Sequence, residues 1–281
     1  MDFTPDKYKA LIQSLKDCGY SFVTFCQYSD GVAESTKENG PVSKTVVLRH
    51  DVDKLPFNSL QFARLEADLG VKSTYYFRTV PCSWNEKVIE EIAALGHEIG
   101  YHYECMDTCH GNVDAAFADF VSNLEKFRDL TPVLTICMHG SPRSQFDNRD
   151  LWKKYSYKDL GIIAEPYMDV DFSKMFYLTD TGRRWDGYKV SVRDKIPGFQ
   201  EIWENSGLVF HSTSDILKAL KQKSRNYSFS GSNRVCFFPE TIMITTHPQR
   251  WNVFGVRWMK ELLLQKLKNF VKFFVVSVRH R

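Results

Sequence analysis

Residues 45–53, TVVLRHDVD, constrain the fold of this chain more than any other stretch. Three β-favouring apolar residues, Val46, Val47 and Leu48, run straight into Arg49, His50, Asp51 and Asp53, the pattern of a buried strand that ends at the rim of an active site. Strand residues two apart share a face, so Asp51 and Asp53 project together. Two like charges held that close cost free energy unless a cation or a shared proton relieves them. The stretch alone is equally compatible with a surface loop carrying two solvated aspartates. Two further histidine-bearing stretches of the same design, HEIGYHYE at 97–104 and TICMHGSP at 135–142, decide for the strand.

Around these rims the hydrophobic period switches between strand and helix. Thr4 and Pro5 mark a helix start, and Tyr8, Leu11, Ile12 and Leu15 repeat at helical spacing, predicting a helix over 4–18 that leads into a strand SFVTF. The polar run 29–44 reads as a loop. Helices are expected over 58–69 and 85–95, each closed by a glycine, and through Phe117, Phe120, Val121, Leu124 and Phe127; strands are expected at KSTYYF, HEIGY and VLTICM. This β-α-β-α succession implies an α/β fold with parallel strands covered by helices, which a barrel and an open doubly wound sheet both satisfy. Asp51, Asp53, His102 and His139 each follow a strand, so they gather at the C-terminal strand ends, where both architectures build their sites.

Further along, GIIAEPYMDVDF, MFYLTD and GRRWDGYKVSV read as short strands around a substrate-facing loop, 214–223 as a helix and 227–234 as a loop. TIMITT reads as a buried strand delivering His247. A closing helix over 254–278, apolar at Leu262, Leu263, Leu267, Phe270, Val271 and Phe274, is expected to pack on the rest of the chain; its cations, Lys266, Lys268, Lys272 and Arg279, leave open a peripheral contact with an anionic membrane.

At 281 residues, one catalytic domain over 1–281 is the expectation, with the two terminal helices packed on it. A net charge of +3 gives no reason to expect a nucleic-acid partner. The N-terminus lacks the order of a signal peptide and no apolar run approaches the ~18 residues of a membrane span, so a cytoplasmic location is expected. Seven cysteines, an odd number at irregular spacings, predict no disulfide framework, and Cys105, Cys109 and His110 fit no standard structural zinc pattern.

Four landmarks in order, TVVLRHDVD, LGVKSTYYF, ALGHEIGYHYE and MITTHPQRW, resemble those of the polysaccharide deacetylases, the NodB-homology carbohydrate esterases. The likeness spans residues 45–247, and GHEIGYH at 96–102 is its most specific piece. The resemblance implies a distorted (β/α) barrel that removes an acetyl group from an N-acetylated sugar with one divalent metal, commonly zinc. It matches Asp51 to the general base, Asp53 to the metal aspartate displaced by one residue, His102 to the first metal histidine, and His247 to the late histidine that acts as general acid.

Two departures accompany it. The family's second metal histidine falls at Met106, a poor zinc ligand, so a replacement is needed; His139 leads, with Glu104 and His110 behind it. The family's R-x-P motif is replaced by HGSPR, with Arg143 on the other side of the proline. Chemically, Asp53, His102 and His139 supply the three protein ligands that leave a catalytic zinc one open position, Asp51 is placed to take a proton from water, and His247 has an ordinary pKa of about 6.5, suited to protonating an amine. Arg183, Arg184, Trp185 and Arg250, with Arg143, are candidate substrate contacts, although a turn with an anchoring Trp and solvated arginines explains the same residues equally well. His50 and His97 read as structural, being out of phase with Asp51 and His102. Two rival functions stay open: another metal-dependent amide or ester hydrolase on the same fold, and a metal-free carbohydrate-binding pseudoenzyme.

Overall fold

The computed structural model describes residues 1–31, 44–141, 144–185, 191, 194–222 and 238–279, with side chains described up to residue 270 of the last helix. Arg143, the predicted loop at 227–234 and the greater part of that at 29–44 lie outside the described residues. Thr4 caps α1 (Pro5–Asp17) by accepting from the Lys7 amide, as its sequence predicts. β1 (Ser21–Val23) is shorter than SFVTF, because Thr24 and Gln27 close a capping box that opens α2 (Phe25–Ser29). The chain continues through β2 (Thr45–Val52), α3 (Pro56–Asp68), β3 (Thr74–Phe77), α4 (Glu86–Ala94), β4 (Glu98–Tyr103), α5 (Cys105–Thr108), α6 (Val113–Arg128) and β5 (Ile136–Met138).

After β5 the expected short strands are met only in part, and the greater part of YKVSV in GRRWDGYKVSV lies outside the described residues. The segment GIIAEPYMDVDF contributes a single bridge, Ala164 to Thr135, and then α7 (Pro166–Asp169), since Glu165 caps the Tyr167 amide and Pro166 pre-sets the first turn. β6 (Phe176–Thr179) is the strand within MFYLTD. α8 (Pro197–Asn205), for which the sequence reading had no counterpart, precedes α9 (Thr213–Lys221), β7 (Thr241–Thr246) and α10 (Val256–Arg279).

The chain forms two compact units: Phe22–Asn39 with Val47–Val170, and Met1–Ser21 with Gly40–Val46 and Asp171–Arg281. In the first, β2, β3, β4 and β5 pair in that order, all parallel, with α3, α4 and α6 as crossovers. Every residue of β2 is buried, so its charges are met inside the protein. On the face towards α3, His50 Nε2 lies 2.8 Å from Glu66 Oε1, and Glu66 Oε2 accepts from Ser73 Oγ at 2.6 Å and Tyr75 Oη at 2.8 Å. Burial alone raises the Glu66 carboxyl, but the His50 ring and these donors hold it below its usual range. Removing Glu66 would take the carboxylate partner from three buried polar groups, His50, Ser73 and Tyr75, a loss of about 3–5 kcal/mol. His97 belongs to the same face, between Ser73 and the Ala63 carbonyl.

The opposite face carries Arg49, Asp51, Tyr76, Gly100, His102 and Cys137, aligned by the register Asp51–Tyr76–Gly100 and His102–Cys137. Gly100 is required there: a Cβ would stand 2.3 Å from Cε1 of the Tyr76 ring. In the second unit, β6 and β7 pair in parallel. α1 meets α9, where Lys7 Nζ donates to Ser214 Oγ at 3.1 Å.

Candidate functional site

In the first unit β2, β3, β4 and β5 run parallel, and Asp51, Asp53, His102 and His139 all fall at C-terminal strand ends. The His139 amide continues the ladder by donating to the Tyr103 carbonyl at 2.8 Å. Asp53 Oδ1 stands 3.7 Å from Nε2 of His102 and 3.7 Å from Nε2 of His139. A tetrahedral ion with ligands at ~2.0–2.2 Å keeps its donor atoms roughly 3.3–3.6 Å apart, so these three atoms need little movement to close on one cation.

His102 presents the required nitrogen because the other is hydrogen-bonded, and His139 stands with its other nitrogen beside a carboxylate. His102 Nδ1 lies 2.9 Å from the Cys137 carbonyl oxygen, which can only accept, so the proton sits on Nδ1 and the lone pair of the neutral ring on Nε2. Burial pushes this imidazole down to about 4, with Asp51 opposing the shift, so the ring is neutral near pH 7. His139 Nδ1 stands 3.2 Å from Glu104 Oε2. Burial raises the Glu104 carboxyl, yet hydrogen bonds from His139 and Arg78 outweigh it and hold the group at about 2, an ionised acceptor for Nδ1–H. A carboxylate behind a histidine fixes its orientation and raises its basicity towards a metal. Arg78 braces the arrangement, donating to Glu104 at 2.9 and 2.6 Å and to the Asp53 carbonyl at 3.2 Å.

Two other groupings have ligand atoms close enough for an ion: Asp51, His102 and Cys137, and Glu104, Asp107 and His139. In the former, Cys137 Sγ already accepts from Arg49 Nη1 at 3.1 Å, so a metal there would meet a guanidinium. In the latter, Asp107 accepts from Asn148 Nδ2 and Ser144 Oγ, and Glu104 is paired with Arg78. The set Asp53, His102 and His139 is the best ordered of the three. Met106 lies in the core, 4% exposed, and belongs to none of the groupings.

Asp51 stands beside this set. Its Oδ2 accepts from Arg49 Nη2 at 3.2 Å and lies 3.9 Å from His102 Nε2, while its buried Oδ1 has no hydrogen-bond partner among the described residues. A buried carboxylate oxygen left unmet costs about 1–3 kcal/mol, so Oδ1 is the atom open to a proton or a ligand. Arg49, fully buried, is held in turn by Tyr167 Oη at 2.8 Å. Next to it Glu165 accepts from the Met138 and Tyr167 amides, and burial pushes its carboxyl up to about 7. An open cleft of ≈ 450 Å³ adjoins His139 and Glu104, lined also by Arg78, His110, Ser141 and Gln145.

In the second unit His247 follows β7 and rests on Asp180, which follows β6. Nδ1 of His247 is 2.6 Å from Asp180 Oδ1, and the His247 amide and the Trp251 indole donate to Oδ2 at 2.9 and 2.7 Å. Against the rise that burial imposes, His247 and Arg250 hold the Asp180 carboxyl below its usual range. Arg250 therefore serves Asp180, at 2.9 Å, and Thr181. Trp185 is 4% exposed, donates to Thr213 Oγ1 at 3.0 Å and packs on Phe3 and Trp251, the geometry of the anchored turn. Arg183 is buried, its guanidinium 5.3 Å from the Phe3 ring and 4.8 Å from Trp258, and exposed Arg184 lies beside His211.

Sequence reading named Arg49 only as part of the ionisable cluster, with no role, and passed over Arg78 and Asp180. Asp180 had a signal: it ends an apolar strand, as Asp51 does. Arg78 had only its place one residue beyond β3. In comparisons with known proteins, the chain matches no family model and no curated protein.

Proposed function

We propose that this chain is a metal-dependent hydrolase that removes the acetyl group from an N-acetylated sugar or polysaccharide precursor. The observation that carries the reading is the convergence of His102 Nε2, His139 Nε2 and Asp53 Oδ1, with His102 tied back through Nδ1 to the Cys137 carbonyl and His139 Nδ1 3.2 Å from the Glu104 carboxylate. A set of two imidazoles and one carboxylate suits zinc, which when bound supplies a Lewis acid for the acyl group and for water. Arg49 occupies Oδ2 of Asp51, so Oδ1 is the atom that takes the proton from attacking water. The resemblance matches His247 to the general acid, and within its own unit the Asp180 carboxylate orients the ring as that role requires. Hydroxyl, amide and imidazole groups of Ser141, Gln145 and His110 give the open cleft the polar lining a sugar needs.

The sugar, and the distorted (β/α) barrel of the NodB-homology type, rest on the resemblance; four parallel strands with helical crossovers support the latter. Elemental analysis of purified protein, with acetate release from N-acetylated sugars, O-acetylated sugars and non-sugar amides, tests the reading. One equivalent of a divalent metal and turnover confined to N-acetyl sugars are expected. Turnover of non-sugar amides alone would make the chain a different hydrolase, and absence of both metal and turnover would leave a carbohydrate-binding protein.

A further inference from the structure

α10 is built inside out. The side that meets its own unit makes polar contacts: Trp258 Nε1 donates to the Asp2 carbonyl at 2.9 Å, Asn269 Nδ2 to the Gly182 carbonyl at 2.9 Å, and Gln265 is the buried side chain among those described for the helix, 6% exposed, with Leu262 half-buried beside it. The outer side is apolar, with Met259, Leu263, Leu267 and Phe270 exposed by 52%, 65%, 62% and 63%. At 100° per residue these four fall within one stripe along the helix, and Val253 and Phe254, 76% and 54% exposed, extend it at the N-terminal end. Of the stripe expected to pack on the protein, Leu263, Leu267 and Phe270 are exposed instead, Leu262 is half-buried, and the side chains of Val271 and Phe274 lie outside the described residues. A row of apolar side chains this long, turned to solvent, marks a surface that something else covers.

The charges identify what. Across Val256–Arg279 the sequence places six cations, Arg257, Lys260, Lys266, Lys268, Lys272 and Arg279, against one acid, Glu261. Lys260 and Lys266, both exposed, fall on the two borders of the stripe, about 60° from its centre on either side. A second copy of this helix would bring lysine borders against lysine borders. A phospholipid surface accepts the apolar side chains at the level of the acyl boundary while the lysine stems extend to anionic headgroups. No helix among the described residues is long and apolar enough to cross a membrane, so contact is in the plane of the surface.

We propose that the outer face of α10 docks the protein on an anionic lipid surface through Met259, Leu263, Leu267 and Phe270, with Lys260 and Lys266 at the headgroups. This stands independently of the hydrolase reading. The test is co-sedimentation of the full chain with phosphatidylcholine vesicles, with and without phosphatidylserine, over a range of salt. Binding is expected with phosphatidylserine, weakening as salt rises, and at most trace binding without it. Leu263→Glu with Leu267→Glu should abolish it while circular dichroism and solubility stay unchanged. Lys260→Gln with Lys266→Gln should weaken it by roughly fivefold per lysine and leave the apolar face intact, which keeps the test valid should the leucine variant misfold. Absence of binding to phosphatidylserine vesicles, or equal binding to both compositions, would overturn the proposal. So would a wild-type dimer in analytical ultracentrifugation that the leucine variant converts to monomer, since the face would then belong to a second copy.

Discussion

Glu104→Gln distinguishes the two overlapping ligand sets that share His139. If the ion sits among Asp53, His102 and His139, Glu104 acts from behind, through His139 Nδ1 at 3.2 Å. Glutamine keeps an acceptor oxygen but loses the charge, and that one oxygen must then choose between His139 and Arg78, which the carboxylate serves together. Carboxylates in this position are worth about 10–100-fold in metal affinity, or ~1.4–2.7 kcal/mol. The retained acceptor and the competition from Arg78 act in opposite directions, so the middle of that range is expected. Competition titration of zinc against a chromophoric chelator reads it directly. His102→Ala, measured alongside, should lose binding altogether, and Asp107→Asn should match wild type. If Glu104→Gln also matches wild type, Glu104 does not support the ligand. If Asp107→Asn loses the ion while His102→Ala keeps it, the ion belongs to Glu104, Asp107 and His139, and the reasoning from the tied-back histidines is wrong.

Asp51→Asn should retain the metal and lower acetate release by ~10²–10⁴-fold, because Oδ1 can no longer take a proton; a near wild-type rate removes Asp51 from the base role. His247→Ala should leave metal content unchanged and reduce turnover of an N-acetyl sugar by ~10²–10⁴-fold, with a smaller loss on an activated aryl ester whose leaving group needs no proton; equal losses on both would refute the acid role. Gly100→Ala forces a Cβ to within 2.3 Å of the Tyr76 ring and 3.0 Å of the Thr135 carbonyl, so stability should drop by about 1–3 kcal/mol or more in denaturant unfolding, and an unchanged midpoint contradicts the close packing. In chelated protein, the folded His102 pKa of about 4 lies below its unfolded value of ~6.5, so the unfolded chain binds the extra proton between them and stability falls by roughly 3 kcal/mol as pH drops through that window. Glu104, lowered to about 2, adds a second loss below pH ~4.5, and a flat profile from pH 7 to 4 would rule out the His102 shift.

Much of the site was legible because its residues obey local rules. A strand shows in its period and its end in the first ionisable residues, so Asp51, Asp53, His102 and His139 were placed on rims, and parallel strands bring such rims to one end. Parity along a strand likewise separated His50 and His97 from Asp51 and His102, and the structure puts the former pair on the Glu66 side. Where a segment's local signals are weak the reading failed: GIIAEPYMDVDF has the apolar content of a strand, but Glu165 and Pro166 start a helix within it.

What the sequence by itself determined, then, is the succession of strands and helices as far as β5 and the kinds of side chain at the strand ends, since both follow from short-range periodicity. Tertiary structure alone decided which nitrogen each histidine offers, because the acceptors behind His102 and His139 come from Cys137 and Glu104, 35 residues away in the chain for Cys137. It alone made Asp180 the partner of His247, a pairing between groups at the ends of neighbouring strands. It also decided the fate of α10. Periodicity gives a helix an apolar face but says nothing of what that face meets, and here contacts to Asp2 and Gly182 turn Trp258 and Asn269 inward and leave Met259, Leu263, Leu267 and Phe270 exposed.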